Sequence, residues 1–136
     1  MVQPYERSQV ITTHHNYPMK SIVSKKQKIG SSKGARRICL WSLELNKIGL
    51  TSGTPINLRW ESIGLVIERS ADKDVSRKVS RVMNHGKELP VIDLKETKSF
   101  SLASLGEIGD KVHVEYRDFS YMHSQEGYVV ISRAFV

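Results

Sequence analysis

Apolar and polar residues alternate over several short stretches of the chain, and this pattern predicts a mainly β protein. Two such stretches lie at Arg36–Trp41 and Ile56–Trp60, and Leu65–Ile67 follows the second as a short apolar strand. Between the first two, Leu45 and Ile48 have the spacing of neighbours on a helix, and the glycine after Ile48 suits a helix C-terminus. The sequence therefore predicts a strand, a short helix and then a β-hairpin.

The same order of elements occurs a second time, after residue 87. Leu89–Lys95 alternates as a strand, and Ser99–Leu105 has a short helical pattern followed by a glycine. Val112–Tyr116 alternates again, and Gly127–Ile131 is an apolar closing strand. Because the elements and their glycine turns match in order, we interpret the two stretches as an internal repeat. The alternative is two unrelated β-α-β-β segments in a small α+β sandwich.

The segments outside the two repeats have a different composition. Ser24–Gly34 is rich in lysine, glycine and serine, which is typical of a mobile basic arm. In residues 71–87, apolar side chains recur at helical spacing and predict either a short amphipathic helix or a structured linker. These side chains are Val75, Val79, Val82 and Met83. We therefore divide the chain into a flexible basic arm (1–35), a first repeat (36–70), a basic linker (71–87) and a second repeat (88–136).

The first repeat contains a motif that can be compared with known families. The motif begins in the strand at Ile38, continues through "ELNKIGLTSGTPINLRW" and ends at "GLVIE". Its elements are a strand, a short helix ending in an aliphatic-Gly-aliphatic step, a Gly-Thr turn and a hairpin. In this order it resembles the SpoVT/AbrB family of swapped-hairpin DNA-binding domains. The resemblance implies a mainly β fold with short helices, a swapped-hairpin β-barrel made of two interlocking half-barrels. Since this chain carries two copies, we expect an intramolecular pseudo-dimer.

Charge is distributed unevenly along the chain. The net charge is +7, and basic residues predominate before residue 88, whereas acidic residues outnumber them afterwards. A polarised basic surface suits a polyanionic partner. No run of about 18 apolar residues is present, the N-terminus has no secretory pattern, and a single cysteine, Cys39, excludes an intramolecular disulfide. We therefore expect a cytoplasmic, nucleoid-associated protein that does not contact membranes.

The resemblance also implies which residues would contact nucleic acid, with DNA preferred and RNA as the alternative. AbrB-like domains present basic side chains of the first strand and neighbouring loops, which here are Arg36 and Arg37, with Lys47 and Arg59 nearby. Further phosphate contacts are expected from the basic arm and the basic linker. The residues concerned are Lys25, Lys26, Lys28, Lys33, Arg77, Lys78 and Arg81.

The second repeat lacks the basic pair of the first. Glu88 and Leu89 stand where the first repeat has Arg36 and Arg37. A pseudo-dimer of this kind should bind asymmetrically, or pair with a second copy of the chain to restore two-fold symmetry. The most direct interpretation is a non-catalytic DNA-binding protein, a transcriptional regulator or antitoxin-like repressor of bacterial or phage type.

Two other interpretations stay open. The loop Arg117–Gly127 carries Phe119, Tyr121 and Met122, and side chains of this kind suit a protein-partner surface on an adaptor of a nucleoprotein assembly. The first repeat, with "SQVITTHHNYP" before it and the turn in "SGTPINL", also resembles the SymE branch of the same superfamily, whose members are RNA-targeting toxins.

An RNA-cleaving toxin would need a general acid and a general base, and histidine is the usual choice. His14, His15 and His85 are the candidates in the basic region, but no spacing brings them together, so no catalytic residue is predicted. The chain also lacks a phosphate-binding glycine loop and an HExxH motif. Neither a cofactor nor a metal site is expected.

Overall fold

The alternating stretches form nine β-strands in the part of the chain that the computed structural model describes, residues 21–75, 77–119 and 127–134. The strands are β1 (Ser21–Lys28), β2 (Gly30–Ser32), β3 (Ala35–Trp41), β4 (Ile56–Glu61), β5 (Gly64–Arg69), β6 (Ser80–Asn84), β7 (Lys87–Lys95), β8 (Lys111–Asp118) and β9 (Gly127–Arg133). One α-helix, α1, covers Glu44–Lys47, and a 3₁₀ turn covers Ala103–Leu105. The prediction of a mainly β protein with short helices is confirmed.

The described strands form two antiparallel sheets. Sheet A has the order β1-β8-β9-β5-β4, and sheet B has the order β2-β3-β7-β6. Alternate side chains of both sheets meet in one apolar core, because each strand directs every second residue to the same face. Fully buried members of this core are Ile38, Leu40, Leu94, Leu65, Ile67, Val112, Val114 and Ile131.

The predicted barrel is not closed. In a closed barrel an edge strand of one sheet continues the hydrogen bonding into the next. Here the edge strands β1, β4, β2 and β6 each have a strand neighbour on one side only within the described residues. Two stacked layers suffice because each sheet has one apolar face to cover. The expectation of a barrel was therefore wrong.

The two halves of the chain contribute to the sheets in the same way. The first half supplies hairpin β2-β3 to sheet B and β4-β5 to sheet A, and the second supplies β6-β7 and β8-β9. The halves meet at two antiparallel pairs, where Leu40 is opposite Ile92 and Val66 is opposite Val130. If the two halves are exchanged, the order of these eight strands in the two sheets stays the same. The ninth strand, β1, is added beside β8 at the edge of sheet A.

The two hairpins of sheet B also share their turn geometry. Lys33-Gly34 and His85-Gly86 form two-residue loops in which both residues have positive φ, between 51° and 84°. This is the type I′ geometry that fits the twist of a hairpin and favours glycine at the second position. Arg36 and Glu88 each follow their turn glycine by two residues, so they occupy corresponding positions in β3 and β7.

The segment expected to be a mobile arm is ordered where the structure describes it. Residues 24–34 lie in β1, β2 and the turn that follows, joined by Ile29, which is 1% exposed within the core. The Ile29 amide donates to the carbonyl oxygen of Asp110, at 2.8 Å, and the Ile29 carbonyl accepts from the Gly109 amide. The lysines of β1 can remain in solvent because β1 is an edge strand.

The linker between the repeats is structured, but it is not helical. Residues 80–84 form β6, and only Val79 of the four regularly spaced apolar residues is fully buried, at 2% exposure. Val82 and Met83 are 40% and 62% exposed. Helical spacing therefore did not predict the secondary structure here, because pairing with β7 overrides a weak local preference.

Candidate nucleic-acid interface

Arg36, the first predicted base contact, is bound within its own chain. Its Nη1 donates to both carboxylate oxygens of Glu96 at 3.2 and 3.1 Å, and its Nε donates to the Gly106 carbonyl at 2.8 Å. Nη2 donates to Glu107 at 2.6 Å. The Arg36 and Glu96 side chains are 21% and 14% exposed. Arg36 thus joins β3 to the 3₁₀ segment of the second half, and this role occupies its guanidinium.

Glu96 is held as a carboxylate by several donors. The Leu102 amide donates to it at 2.7 Å, the Arg36 amide at 2.9 Å, and the Ser101 hydroxyl at 3.2 Å. The Leu102 hydrogen bond is the largest cause that lowers the pKa of Glu96, followed by the Arg36 contacts, and together they outweigh burial, which raises it. A carboxylate whose folded pKa is lowered stabilises the fold above its ordinary pKa, and this stabilisation is lost as pH falls through the folded value.

We therefore expect Glu96→Gln to alter the acid dependence of stability. The wild-type melting temperature should fall as the pH drops below the ordinary value of 4.5, because Glu96 of the unfolded chain then binds a proton before the carboxylate of the folded chain does. The Glu96→Gln variant should melt lower at neutral pH and change less on acidification, in thermal unfolding followed by circular dichroism. The control is Glu88→Gln, whose carboxylate is exposed beside Arg81. An unchanged acid dependence in Glu96→Gln would contradict this role.

Three other predicted arginines also have carboxylate partners. Arg37 binds Asp93 with two hydrogen bonds, at 2.8 and 2.9 Å, and this contact lowers the pKa of Asp93 against the opposing effect of burial. Arg81 contacts Glu88 at 3.0 Å across the β6-β7 hairpin. The remaining pairs join Arg59 to Glu61 and Glu68. These guanidiniums are partly neutralised, which reduces their attraction for a polyanion.

Two further predicted cations lie over aromatic rings, and a third is on the helix. The ammonium of Lys25 is 5.8 Å from the ring centre of Tyr116 and donates to the Ser42 hydroxyl at 3.2 Å. Burial raises the pKa of Tyr116 to about 12, so its phenol stays neutral beneath this lysine. The Arg77 guanidinium lies 5.4 Å from the ring centre of Phe100. Lys47, the cation on helix α1, contacts the carboxylate of Glu44 at 3.5 Å.

Lys26 and Lys28 differ from these residues, because no hydrogen bond or ion pair of the described chain involves their ammonium groups. Both are exposed on β1, on the face of sheet A that is turned away from the core. Lys28 lies opposite Lys111 of β8, which is likewise exposed and unpaired among the described residues, and Lys26 lies opposite His113. We call Lys26, Lys28 and Lys111 the β1-β8 lysine cluster.

The carboxylates on the same face of sheet A are already bound. Glu115, the nearest along β8, accepts from Arg117 at 2.7 and 3.0 Å. Glu61 and Glu68, on β4 and β5, contact Arg59. At the β4-β5 end of the face two carboxylates share the guanidinium of Arg59, whereas at the β1-β8 end the uncompensated charge is therefore the lysine cluster. Like charges opposite one another on adjacent strands destabilise a sheet, so this corner favours an anion.

A second basic site lies at the start of β4. A cleft of about 450 Å³ is lined by three cationic side chains together with small and hydroxyl residues. The cations are Arg69, Lys73 and Lys78. Arg69 donates to the Gly49 carbonyl at 2.7 Å, which fixes its guanidinium beside the cleft, while Lys73 and Lys78 are exposed. Thr54 and Ser70 add hydroxyl groups, and none of the described residues in the lining carries a carboxylate.

The two basic sites occupy corresponding places in the two halves. The Gly109 amide donates to the carbonyl of Ile29, and the Gly53 amide donates to the carbonyl of Val79, both at 2.8 Å. Lys28 and Lys78 directly precede Ile29 and Val79, so each lysine flanks the glycine turn of one half. Because β8 and β4 are the corresponding strands of sheet A and run antiparallel, the two sites lie at opposite corners of that sheet. Charge alone had singled out both lysines, whereas Lys111, Lys73 and Arg69, each of which directly follows an acidic residue, were not among the predicted contacts.

The other predicted residues are dispersed or lie outside the described chain. Lys33 is exposed in the β2-β3 turn of sheet B, away from the lysine cluster. Phe119 stacks on Tyr128, with ring centres 5.4 Å apart, and its loop companions Tyr121 and Met122 lie outside the described residues. His14 and His15 do so as well.

His85 and His113 lie in different sheets, in the β6-β7 turn and in β8. Among the described residues no group of three or more histidine, cysteine or acidic side chains is placed to hold a metal ion. The longest helix described is α1, with 4 residues, so none of the described helices could cross a membrane.

Comparison of the chain with protein-family models, with curated proteins and with solved structures finds no match. The geometry of the described residues is that of a two-sheet antiparallel β protein with a basic outer face on sheet A.

Proposed function

We propose that the protein binds nucleic acid non-catalytically, with duplex DNA as the preferred target, through the outer face of sheet A. The observation that carries this proposal is the β1-β8 lysine cluster, where Lys28 and Lys111 face each other without a carboxylate partner among the described residues. A cross-strand pair of like charges costs stability in the free protein. A phosphate placed between the two ammonium groups would remove that cost and release counterions from the nucleic acid.

The second basic site extends this surface. Lys28 and Lys78 are five strand spacings apart across the sheet, about 24 Å at roughly 4.8 Å per spacing, and they also lie at opposite ends along the strand direction. This separation exceeds the major-groove width of about 12 Å, so the two sites would contact different stretches of phosphate backbone. Backbone contacts of this kind orient a protein on a duplex without reading its sequence. A regulator or antitoxin-like repressor would need base contacts in addition.

The arrangement of hairpins also supports a finer proposal about the fold. Each half supplies one hairpin to each sheet, and the halves meet at corresponding residues in both sheets. We propose that this is an intramolecular pseudo-dimer of the swapped-hairpin type that the SpoVT/AbrB resemblance implies. In this proposal the arginines of β3 stabilise the fold, and nucleic acid is bound by lysines that the resemblance does not single out. Nucleoid association would follow from this function.

The proposal predicts a specific change in salt dependence. The triple variant Lys26→Gln, Lys28→Gln, Lys111→Gln should bind duplex DNA more weakly, measured by fluorescence anisotropy across a salt series. The slope of log affinity against log salt should become shallower by about 0.9 for each phosphate that the variant no longer neutralises. The effect should be similar for duplexes of different sequence, because the cluster contacts backbone.

The matched control is the triple variant Lys87→Gln, Lys95→Gln, Lys98→Gln. It removes the same charge from exposed positions on sheet B and the following loop, and it should keep the wild-type slope. Equal slopes for both triple variants would contradict the lysine cluster as the site. Single-stranded DNA and structured RNA are measured in parallel, and tighter binding to RNA together with its cleavage would favour the toxin interpretation over ours.

A further inference from the structure

The outer edge of β4 is only partly covered, and the other half of the molecule provides a comparison. The corresponding strand β8 is paired along its whole length with β1, from Ser21 opposite Asp118 to Lys28 opposite Lys111. At β4 the same place is taken by residues 77–79. The Ile56 amide donates to the Arg77 carbonyl at 3.0 Å, and Pro55 is bridged to Lys78. From Leu58 onward, β4 is paired with β5 on its inner side, and no described strand lies along its outer side.

The missing strand changes the burial of corresponding side chains. On β8, Val114 is fully buried and Tyr116 is 3% exposed beneath β1. Leu58 and Trp60 occupy the corresponding places on β4, counted from the Gly109 and Gly53 turns. Leu58 is half-buried, and Trp60 is 44% exposed. An exposed tryptophan beside an open strand edge is an apolar surface of the kind that becomes buried in protein contacts.

The backbone of β4 is prepared for an additional strand. In an antiparallel pair, the residues whose amide and carbonyl groups point to one neighbour alternate along the strand. Because Ile56 directs its amide outward to Arg77, Leu58 and Trp60 also direct theirs outward. Natural sheets guard such edges with lysine or proline, and neither residue is present between Ile56 and Glu61.

We infer that two copies of the protein associate through this edge, with β4 of one protomer antiparallel to β4 of its partner. The pairing is centred on Trp60, so that the two indoles meet across the two-fold axis. In this register Arg59 of each protomer lies opposite the partner's Glu61, which gives two cross-strand pairs of opposite charge. In the dimer, the Arg59 guanidinium contacts the partner's Glu61 in place of Glu61 of its own chain. The result is a continuous ten-stranded sheet with a lysine cluster at each end.

The neighbouring two-fold registers are less favourable. Centring the pair between Leu58 and Trp60 places Arg59 opposite the partner's Arg59, with like charges facing. Centring it on Leu58 directs Trp60 towards the partner's Ile56, whose outward amide is already bound to Arg77. Charge complementarity and the covered part of the edge therefore select the Trp60 register.

The inference is tested by mixing two charge variants, Arg59→Glu and Glu61→Arg. Wild-type protein should form dimers as its concentration rises from micromolar to millimolar, in sedimentation velocity without nucleic acid. Each variant alone places like charges opposite one another and should dimerise at least about tenfold more weakly. An equimolar mixture should form heterodimers with an affinity near that of the wild type, because each acidic pair then faces a basic pair.

Recovery on mixing separates an interface from a folding defect, since a misfolded variant is not repaired by another. The control Lys98→Glu reverses an exposed charge away from β4 and should dimerise as the wild type does. A wild-type protein that remains monomeric over the whole range would overturn the inference. So would a wild-type dimer whose folded charge variants do not associate on mixing. Neither outcome bears on DNA binding, because no nucleic acid is present and the lysine cluster is unchanged.

Discussion

Gly64→Ala is expected to destabilise the protein by at least about 4 kcal/mol, more than any other single change considered for this fold. Gly64 begins β5 with φ of +135°, a conformation that residues with a side chain rarely adopt. An added Cβ would also lie 2.2 Å from the carbonyl oxygen of Ile131 in β9. The atoms that this Cβ would meet belong to the backbone of Ile131, so the clash can be relieved only by separating β5 from β9, two strands at which the halves meet.

The measurement is urea unfolding followed by circular dichroism. The matched control is Gly53→Ala, whose φ is +88° but whose added Cβ would meet no atom within 4 Å. It should lose only the conformational contribution, about 1–2 kcal/mol. If Gly64→Ala lost no more than Gly53→Ala, the close approach of β5 to β9 at this point would be wrong.

Arg36→Ala is expected to lower the melting temperature by roughly 10 °C. The substitution leaves the Glu96 carboxylate, which is 14% exposed, without its cationic partner, and it leaves the Gly106 carbonyl without the Arg36 donor. Removing one partner of a largely buried pair costs more than the pair contributes, because the remaining group keeps its desolvation penalty. Differential scanning calorimetry provides the measurement.

The neighbouring arginine supplies the control for this prediction. Arg37 also binds a carboxylate with two hydrogen bonds, but the Arg37 and Asp93 side chains are 41% and 35% exposed. Exposed pairs contribute little, so Arg37→Ala should shift the melting temperature by only a few degrees at most. Arg37→Ala is also the clean test of the predicted base contact, since it can be assayed on duplex DNA without loss of the fold. Equal losses for the two variants would contradict the assignment of Arg36 to the fold.

Much of the local structure could be predicted because it depends on residues that are neighbours in the sequence. The alternation of apolar residues located β3, β4, β7 and β8, and two short apolar runs located β5 and β9. Leu102 and Leu105, in the second short helical pattern, are buried, at 0% and 3% exposure. The local sequence pattern was insufficient to predict the edge strands. The period-2 pattern of β1 is obscured by lysines that remain in solvent, and β6 exposes most of its side chains.

The candidate site was less predictable, because it depends on contacts between distant residues. Charge indicated that Lys26, Lys28 and Arg36 could contact a polyanion, but only folding brings Glu96 to Arg36, across 60 residues of chain. The same folding sets Lys28 opposite Lys111 and leaves both without an anionic partner among the described residues. Sequence resemblance favoured the arginines, whereas our proposal rests on the lysines.

By itself, the sequence determined the mainly β character of the protein, the repetition of one strand-helix-hairpin order, and the excess of positive charge. These properties follow from the spacing of apolar residues and from composition, which are independent of the path of the chain. Tertiary structure alone decided that the strands form two open sheets, that the Arg36 guanidinium is bound by Glu96 of its own chain, and that Tyr116 is covered while Trp60 is not. The physical reason is that burial and ion pairing are properties of neighbours in space, and the strand that covers β8 has only a short counterpart beside β4.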